Sequence, residues 1–350
     1  MPKRDIIVVA ASAGGVEGLQ CLASTLPAAF EGSVFVTLHF PEHGVSVLPR
    51  ILARAGPLPA AHGGEGDHIL PGRVYVAPPD HHMLLARSGI HLVRGPRENG
   101  SRPAADPMFR SAAVSFGPRV IGVVLTGNLD DGTAGLAAVK RLGGLAVVED
   151  PETALFASMP RSALDHVAVD RVAPIGQIAG VLEELMNAPI PTNLSVRTDR
   201  DVMENRLAAG DPGAMTHAEQ QHPGAVSAFS CPDCGGVLWE IHDGDFVRFR
   251  CRVGHAWTGA GLFGQKHRAF DDALWTALRA LEESAALARQ IAARQRARAA
   301  ERVAERFEAQ AAATEERAAV IRAVLEGELT EPMTAARGRS ADADRPKRAS

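Results

Sequence analysis

Residues 6–20 read Ile6-Ile7-Val8-Val9-Ala10-Ala11-Ser12-Ala13-Gly14-Gly15-Val16-Glu17-Gly18-Leu19-Gln20. A β-branched run ends on a small polar residue, two glycines follow, and a helix-compatible stretch takes over. That order describes a strand buried on both faces, a tight turn and a helix packed back on the strand, the opening of a parallel α/β sheet. It sets Ser12 at the carboxyl end of the strand, near helix N-terminal N–H groups that can hold an anion or a developing oxyanion. On these residues alone an N-cap serine, a phosphate loop and a nucleophile are all open. The turn carries neither GxGxxG nor GxxxxGK[ST], which weighs against the phosphate loop.

Outward from this stretch the pattern repeats. Residues 34–38, 120–126 and 145–149 are apolar runs of the same kind, each closed by glycine or polar residues, and they predict further parallel strands. Residues 73–78, 83–86 and 89–93 lie close together with Ser88-Gly89 as a turn, and predict an antiparallel insertion that makes the sheet mixed. The fold class is therefore α/β: a mostly parallel, doubly wound sheet with an antiparallel hairpin insertion, followed by a small zinc-ribbon-like unit and a long helix. The expected divisions are an α/β domain over 1–188, a Pro/Gly-containing linker over 189–228, a cysteine-bearing segment over 229–262, a helical region over 263–327 and a disordered tail over 328–350.

Bulk composition narrows the function classes. The 350 residues are 46% hydrophobic and 22% charged, as in soluble globular proteins, with a net charge of −4 and a pI near 6.4. No global charge favours nucleic acid, and no apolar stretch reaches transmembrane length, so neither nucleic-acid binding nor membrane insertion is expected. The start lacks the pattern of a signal peptide, and cytoplasmic localisation is expected, where Cys pairs more often serve as metal ligands than as disulfides. Arginines between 289 and 306 alternate with Ala, Gln and Glu and read as a solvated helix face. Cys21 reads as a small core residue, and Asp80-His81-His82 and His242 as turn residues rather than metal ligands.

Two more strand ends carry polar groups. Residues 34–38 lead into His39, and residues 120–126 into Gly127-Asn128-Leu129-Asp130-Asp131-Gly132. Alone, His39 is a loop residue and the Asp pair a turn or cap. Together, a Ser, a His and an Asp at carboxyl ends of strands in one sheet form a constellation for nucleophilic acyl transfer. Their order, Ser then His then Asp, and the missing GxSxG elbow separate the chain from ordinary α/β-hydrolases.

With VAASAGGVEGL, LHFPEHG, LPGRVYVAPPDHHMLL, RPAADPMFRSAA, VVLTGNLDDGTAGL and EDPETALFASMPRSAL, the segment from 6 to about 186 resembles the catalytic domain of CheB-type chemotaxis protein-glutamate methylesterases. The resemblance covers about half the chain. It implies a serine hydrolase acting on glutamyl methyl esters of methyl-accepting chemoreceptor-like proteins, often with glutamine deamidase activity, and no cofactor for catalysis. Ser12 matches the nucleophile, His39 the base, and Asp131, directly before the glycine of the family's GMGxDG-like turn, the acid. The backbone amides of Ala13 and Asn128 are the oxyanion candidates, and Met159-Pro160-Arg161 a wall of the site or a buried loop. Asn128-Leu129 replaces the family's usual Met-Gly, and Ala13 a frequent Thr. The first strand begins at Asp5, and no N-terminal receiver domain is expected. A receptor-binding adaptor of weak activity is the alternative.

A second constellation lies beyond the linker. Cys231-Pro232-Asp233-Cys234 and Cys251-Arg252-Val253-Gly254-His255 supply two ligand-bearing turns at ribbon spacing, the donor set of a structural Cys3His zinc site. Phe270, Leu274, Leu278, Leu281 and Ala285 then recur at helical spacing, and the region 263–327 is expected to stay helical and to pair with a helical partner, another copy or the esterase itself.

Overall fold

The computed structural model describes residues 3–39, 44–190, 198–211 and 224–327. The first section runs β1 (Ile6–Ala11), α1 (Gly15–Thr25), β2 (Ser33–Leu38), α2 (Leu48–Ala55), β3 (Ala60–His62), β4 (Arg73–Val76), β5 (His82–Ala86), β6 (Gly89–Val93), α3 (Ala105–Phe116), β7 (Val120–Val124), α4 (Thr133–Arg141), β8 (Leu145–Glu149), α5 (Ser158–His166), β9 (Arg171–Ala173) and α6 (Ile175–Met186). There follow α7 (Asp199–Ala208), β10 (Ala225–Ser230), β11 (Val237–Asp243), β12 (Phe246–Cys251), β13 (Ala256–Thr258), α8 (Gly259–Arg296) and α9 (Glu301–Leu325).

Seven strands form one sheet in the order β3-β4-β2-β1-β7-β8-β9, with every pairing parallel. Alternation along β1 explains the double winding. Ile7, Val9 and Ala11 enter one apolar layer with Leu19 and Leu22 of α1, Leu52 of α2 and Leu182 of α6. Ile6, Val8 and Ala10 enter the opposite layer with Phe109 of α3, Leu136 of α4 and Ala163 of α5. Each large aliphatic side chain buried this way contributes about 1.5–3 kcal/mol.

The hairpin β5–β6 is antiparallel and forms its own two-stranded sheet. Residues 73–76, expected within that insertion, instead form β4 and pair in parallel with β2 and β3. The reason is burial: Val74, Tyr75 and Val76 are all covered, and Tyr75 stacks on Phe35 of β2 with ring centroids 5.2 Å apart.

The expected linker 189–228 also differs. It contains α7, opened by a capping box in which Thr198 and Asp201 exchange side-chain and backbone hydrogen bonds. Strand β10 begins at Ala225, inside the same expected linker. The antiparallel sheet β10-β11-β12-β13 encloses a small cluster of Cys231, Leu238, Phe249, Cys251, Trp257 and Leu262. Residues up to Gln265 form one compact unit, so the ribbon is packed into the same body as the parallel sheet.

Residues 266–327 form a second unit. The expected continuous helix breaks after Arg296, where Ala299 takes a left-handed conformation (φ 57°), and α9 returns. Ion pairs Arg289–Glu315 (2.6 Å), Arg296–Glu308 (2.9 Å) and Arg322–Glu282 join the two arms as an antiparallel hairpin. Ala285, Ala288 and Ala292 on α8 and Ala304, Ala311 and Ala318 on α9 are buried, small enough for close approach of the arms. Of the expected stripe, Leu278 and Ala285 are buried, whereas Phe270 is exposed. Among the described residues no helix is long and apolar enough to cross a membrane. The expected tail 328–350 lies outside the described residues.

Candidate active site

Strand β1 lies between β2 and β7, and the pairings Ala11↔Leu38 and Ala10↔Val124 bring the three carboxyl ends level. Ser12 follows β1, His39 follows β2 and Asp131 lies in the turn between β7 and α4. The sheet order reverses about β1, the position at which open α/β sheets form ligand crevices. The Ser12 N–H donates to Thr126 O (3.0 Å), and Gly15 N–H donates to Ser12 O (2.9 Å), closing the turn. Gly14 adopts φ +70°, a conformation readily available to glycine. A Cβ at Gly127 would sit 2.1 Å from Met159 Sδ and 2.9 Å from Ser12 Cβ, so only glycine lets this turn approach the serine.

The Ser12 Oγ lies 3.1 Å from His39 Nδ1, and His39 Nε2 lies 2.7 Å from Asp131 Oδ2. Asp131 is 2% exposed. Its Oδ2 also accepts the Ala105 N–H (2.7 Å), and its Oδ1 accepts Asn99 Nδ2 (3.1 Å) and the Asp106 N–H (3.4 Å). Ala105 and Asp106 open α3, so the positive end of a helix faces the carboxylate. Burial alone would raise this carboxyl, but the His39, Ala105 and Asn99 bonds outweigh it and hold it below the usual carboxylate range.

The two neighbouring carboxyls behave oppositely. Burial and the Asp131 charge push Asp106 well above its ordinary value, against the bond it accepts from the Gly135 N–H (2.6 Å). Burial, with Asp131 beside it, pushes Asp130 up to about 6 against the opposing bond from Thr258 Oγ1 (2.6 Å). Asp130 touches Thr258, while Asp131 meets His39.

The N–H groups of Ala13 and Asn128 donate to no acceptor among the described residues. Leu129, at the family's glycine position, is left-handed (φ 62°). Leu129, Leu155 and Phe156 form exposed apolar groups around the turns, with Leu155 and Phe156 against Gly14. Met159 is buried, and its N–H donates to Gly127 O (3.0 Å). Residues 40–43 of the LHFPEHG motif lie outside the described residues. A cavity of 320 Å³ lined by Arg141, Arg200, Glu204, Asp243 and their neighbours contains none of the three site residues.

In the ribbon, the ligand atoms of Cys231, Cys234, Cys251 and His255 all lie within 4.8 Å of one another. Cys234 Sγ is 3.6 Å from Cys251 Sγ, which is 3.5 Å from His255 Nδ1. Zn–S bonds of about 2.3 Å in a tetrahedron give S···S edges of about 3.8 Å, so the donors fit a zinc ion and are too far apart for a disulfide. Asp80 pairs with Arg94 and Arg102, and His82 bonds Pro96 O (2.9 Å) and the Ala104 N–H (3.2 Å), satisfying both as structural residues.

A Ser–His–Asp relay at the carboxyl edge of a doubly wound parallel sheet has the architecture of a serine hydrolase. Comparisons with known proteins give the family to which this section of the chain belongs. A family model described as CheB methylesterase matches residues 7–182, and the chain belongs to that family. It is 36% identical over 177 residues to protein-glutamate methylesterase/protein-glutamine glutaminase 1 of Geobacter metallireducens, covering 49% of this chain and 48% of the relative. A Leptospira interrogans protein, provisionally given the same enzyme name, is 35% identical and is covered over 98% of its length by 58% of this chain. The crystal structure of the Thermotoga maritima CheB methylesterase catalytic domain matches with a TM-score of 0.50 and 32% identity, over 52% of this chain and 98% of that one. The chain thus spans about half the length of relatives such as the Geobacter protein, and the ribbon lies outside the family match.

Proposed function

We propose that the chain is a protein-glutamate methylesterase that hydrolyses glutamyl γ-methyl esters on methyl-accepting chemoreceptor-like proteins in the cytoplasm, and that the same site deamidates glutamine side chains. The relay from Ser12 through His39 to Asp131 is the observation that carries this reading. The Asp131 carboxylate accepts the Nε2 proton, which leaves Nδ1 free to accept the Ser12 hydroxyl. As Ser12 Oγ attacks the ester carbonyl, its proton passes to Nδ1. The tetrahedral adduct collapses, and Nδ1–H protonates the departing methanol. Water, deprotonated by His39, then cleaves the glutamyl-serine ester and restores Ser12.

The N–H groups of Ala13 and Asn128, which donate to no acceptor among the described residues, are turned to the oxyanion. The apolar rim of Leu129, Leu155 and Phe156 supports docking of a receptor helix. Cys231, Cys234, Cys251 and His255 would hold a structural zinc ion, which supplies folding energy to a segment with a six-residue core and no chemistry to the ester.

Methanol release from a methylated receptor fragment tests the activity, and a serine-directed phosphonate tests the nucleophile. Ser12→Ala, His39→Ala and Asp131→Asn should each lower kcat/KM by about 10⁴-fold without moving the α/β melting transition. Asp130→Asn should keep most activity. An equal loss in Asp130→Asn and Asp131→Asn at equal stability would assign the acid wrongly, and a wild-type chain that releases no methanol would remove the function.

A further inference from the structure

Asn99 lies on the loop between β6 and α3, outside the relay, yet it touches both the catalytic acid and the ribbon. Its Nδ2 donates to Asp131 Oδ1 (3.1 Å) and to Asp106 Oδ2 (3.2 Å), and its Oδ1 accepts the backbone N–H of Thr258 (3.0 Å). The loop is tied to β13 at two further points: Asn99 N–H donates to Ala256 O (2.8 Å), and Ala256 N–H donates to Arg97 O (3.2 Å). Gly100 meets the Trp257 ring, and Glu98 accepts Arg250 of β12 (3.0 Å). Strand β13 begins directly after His255, a member of the Cys3His group.

The chemistry of a carboxamide gives this contact its force. One side of Asn99 accepts and the other donates, and a half-turn about the last bond exchanges them. A backbone N–H can only donate. Thr258 therefore fixes the oxygen of Asn99 toward the ribbon, and its NH₂ toward the carboxylates. With the ribbon strand displaced, Asn99 loses this anchor, and its NH₂ is held by the two carboxyl groups alone, in a less closely fixed direction. Among the described residues Asn99 is the side-chain donor to that oxygen, whereas Oδ2 is held by His39 and Ala105.

We propose that Asn99 is a positioning residue for Asp131 and that β13 locks its orientation, so that a docked, metal-bearing ribbon sets the competence of the esterase site. The proposal rests on the esterase reading above. The ribbon thus acts on hydrolysis through one amide, with no residue of its own reaching the ester.

Full-length wild type, Asn99→Ala, Asn99→Asp, Thr258→Pro, Thr258→Val and the double variant Asn99→Ala/Thr258→Pro separate the links. The readouts are hydrolysis of p-nitrophenyl acetate and the downfield proton resonance of the His39 Nε2–H. Both Asn99 variants should lose about tenfold to a hundredfold in kcat with KM retained, and shift or broaden that resonance. Thr258→Pro removes the N–H and should reproduce the loss in the wild-type background while adding nothing to Asn99→Ala. Thr258→Val keeps the N–H and should keep the resonance. If Thr258→Pro does not fold, chelation with EDTA replaces it: the His39 resonance should change in wild type and not further in Asn99→Ala. A wild-type resonance and kcat in Asn99→Ala, or fully additive losses, overturn the proposal. A wild type that hydrolyses neither p-nitrophenyl acetate nor methyl ester instead overturns the nucleophile, while the His39 resonance still reports on Asn99.

Discussion

The parallel sheet and the ribbon share one compact unit, but they are held together by different forces. Every residue of β1 and β2 is buried, and two apolar layers sandwich them. In the ribbon, β10 is exposed along most of its length, and the apolar cluster is six residues. What the ribbon buries instead is charge. Arg250 is 0% exposed and pairs with Glu98 (3.0 Å), which also accepts Arg110 of α3 (2.6 Å). Arg248 pairs with Glu204 of α7 (2.9 Å) and with Asp243 (2.6 Å). The sheet carries its own hydrophobic driving force, whereas the ribbon is joined by charges matched across the boundary and, with zinc bound as proposed, would gain the metal's folding energy.

Metal removal should separate the two regions most sharply. Structural zinc in such sites contributes about 10 kcal/mol or more of folding energy, so chelation, or Cys251→Ser, should unfold the ribbon and leave the sheet transition in place. Circular dichroism melts with and without chelator check this, and a single shared transition in both would erase the contrast. Stoichiometric zinc on the purified protein, absent from Cys251→Ser, is the accompanying expectation.

Glu98→Ala comes next. It leaves Arg110 and Arg250 buried without their shared carboxylate and should cost about 3–5 kcal/mol, concentrated at the ribbon boundary. Burial would raise Glu98, but Arg110 and Arg250 hold it below its ordinary value, so its stabilisation is present above the unfolded carboxyl pKa and is lost in acid. Hydrogen exchange that protects β12 and β13 equally in both proteins would contradict this account.

A smaller effect has the opposite sign with pH. Asp130, pushed up to about 6 from 3.8, keeps in the folded chain a proton that the unfolded chain has released. The contribution of Asp130 to stability therefore falls as pH rises between about 4 and 6. Asp130→Asn removes this share of the pH dependence and should gain up to about 3 kcal/mol on wild type above the window. Urea unfolding at pH 4 and pH 7 measures it, and a pH-independent offset would refute it. Smallest is Leu129→Gly, which relieves a left-handed leucine and should raise the melting temperature through a gain under about 1 kcal/mol.

The same division governs what could be read in advance. Ser12, His39 and Asp131 each follow an apolar strand, and strand ends are visible in residue order, so the relay was legible once the three strands were seen as neighbours. The Cys3His set was equally legible from spacing. Strand β4 was misplaced because four residues do not specify a partner, and its sequence neighbours are the hairpin. The charged buried residues Asp201 and Glu204 hid α7 from hydrophobic periodicity, although Thr198 and Asp201 carry a cap signal. The break between α8 and α9 contains neither Gly nor Pro, and only pairing of the arms accounts for it. Asn99 and Thr258 were missed because their role exists only when residues 159 positions apart meet.

Arg110, Arg248 and Arg250 against Glu98, Glu204 and Asp243 make three positive and three negative charges drawn from the loop before α3, α3 itself, α7 and the β11–β12 hairpin. A set so arranged constrains heredity as well as folding. A descendant that discarded the ribbon, or a recombinant that acquired another one, would leave Glu98 and Glu204 with Arg110 alone to meet them. Glu98, Glu204, Arg248 and Arg250 should therefore change in concert or not at all, and domain shuffling at this junction should succeed only where the breakpoint carries all four along.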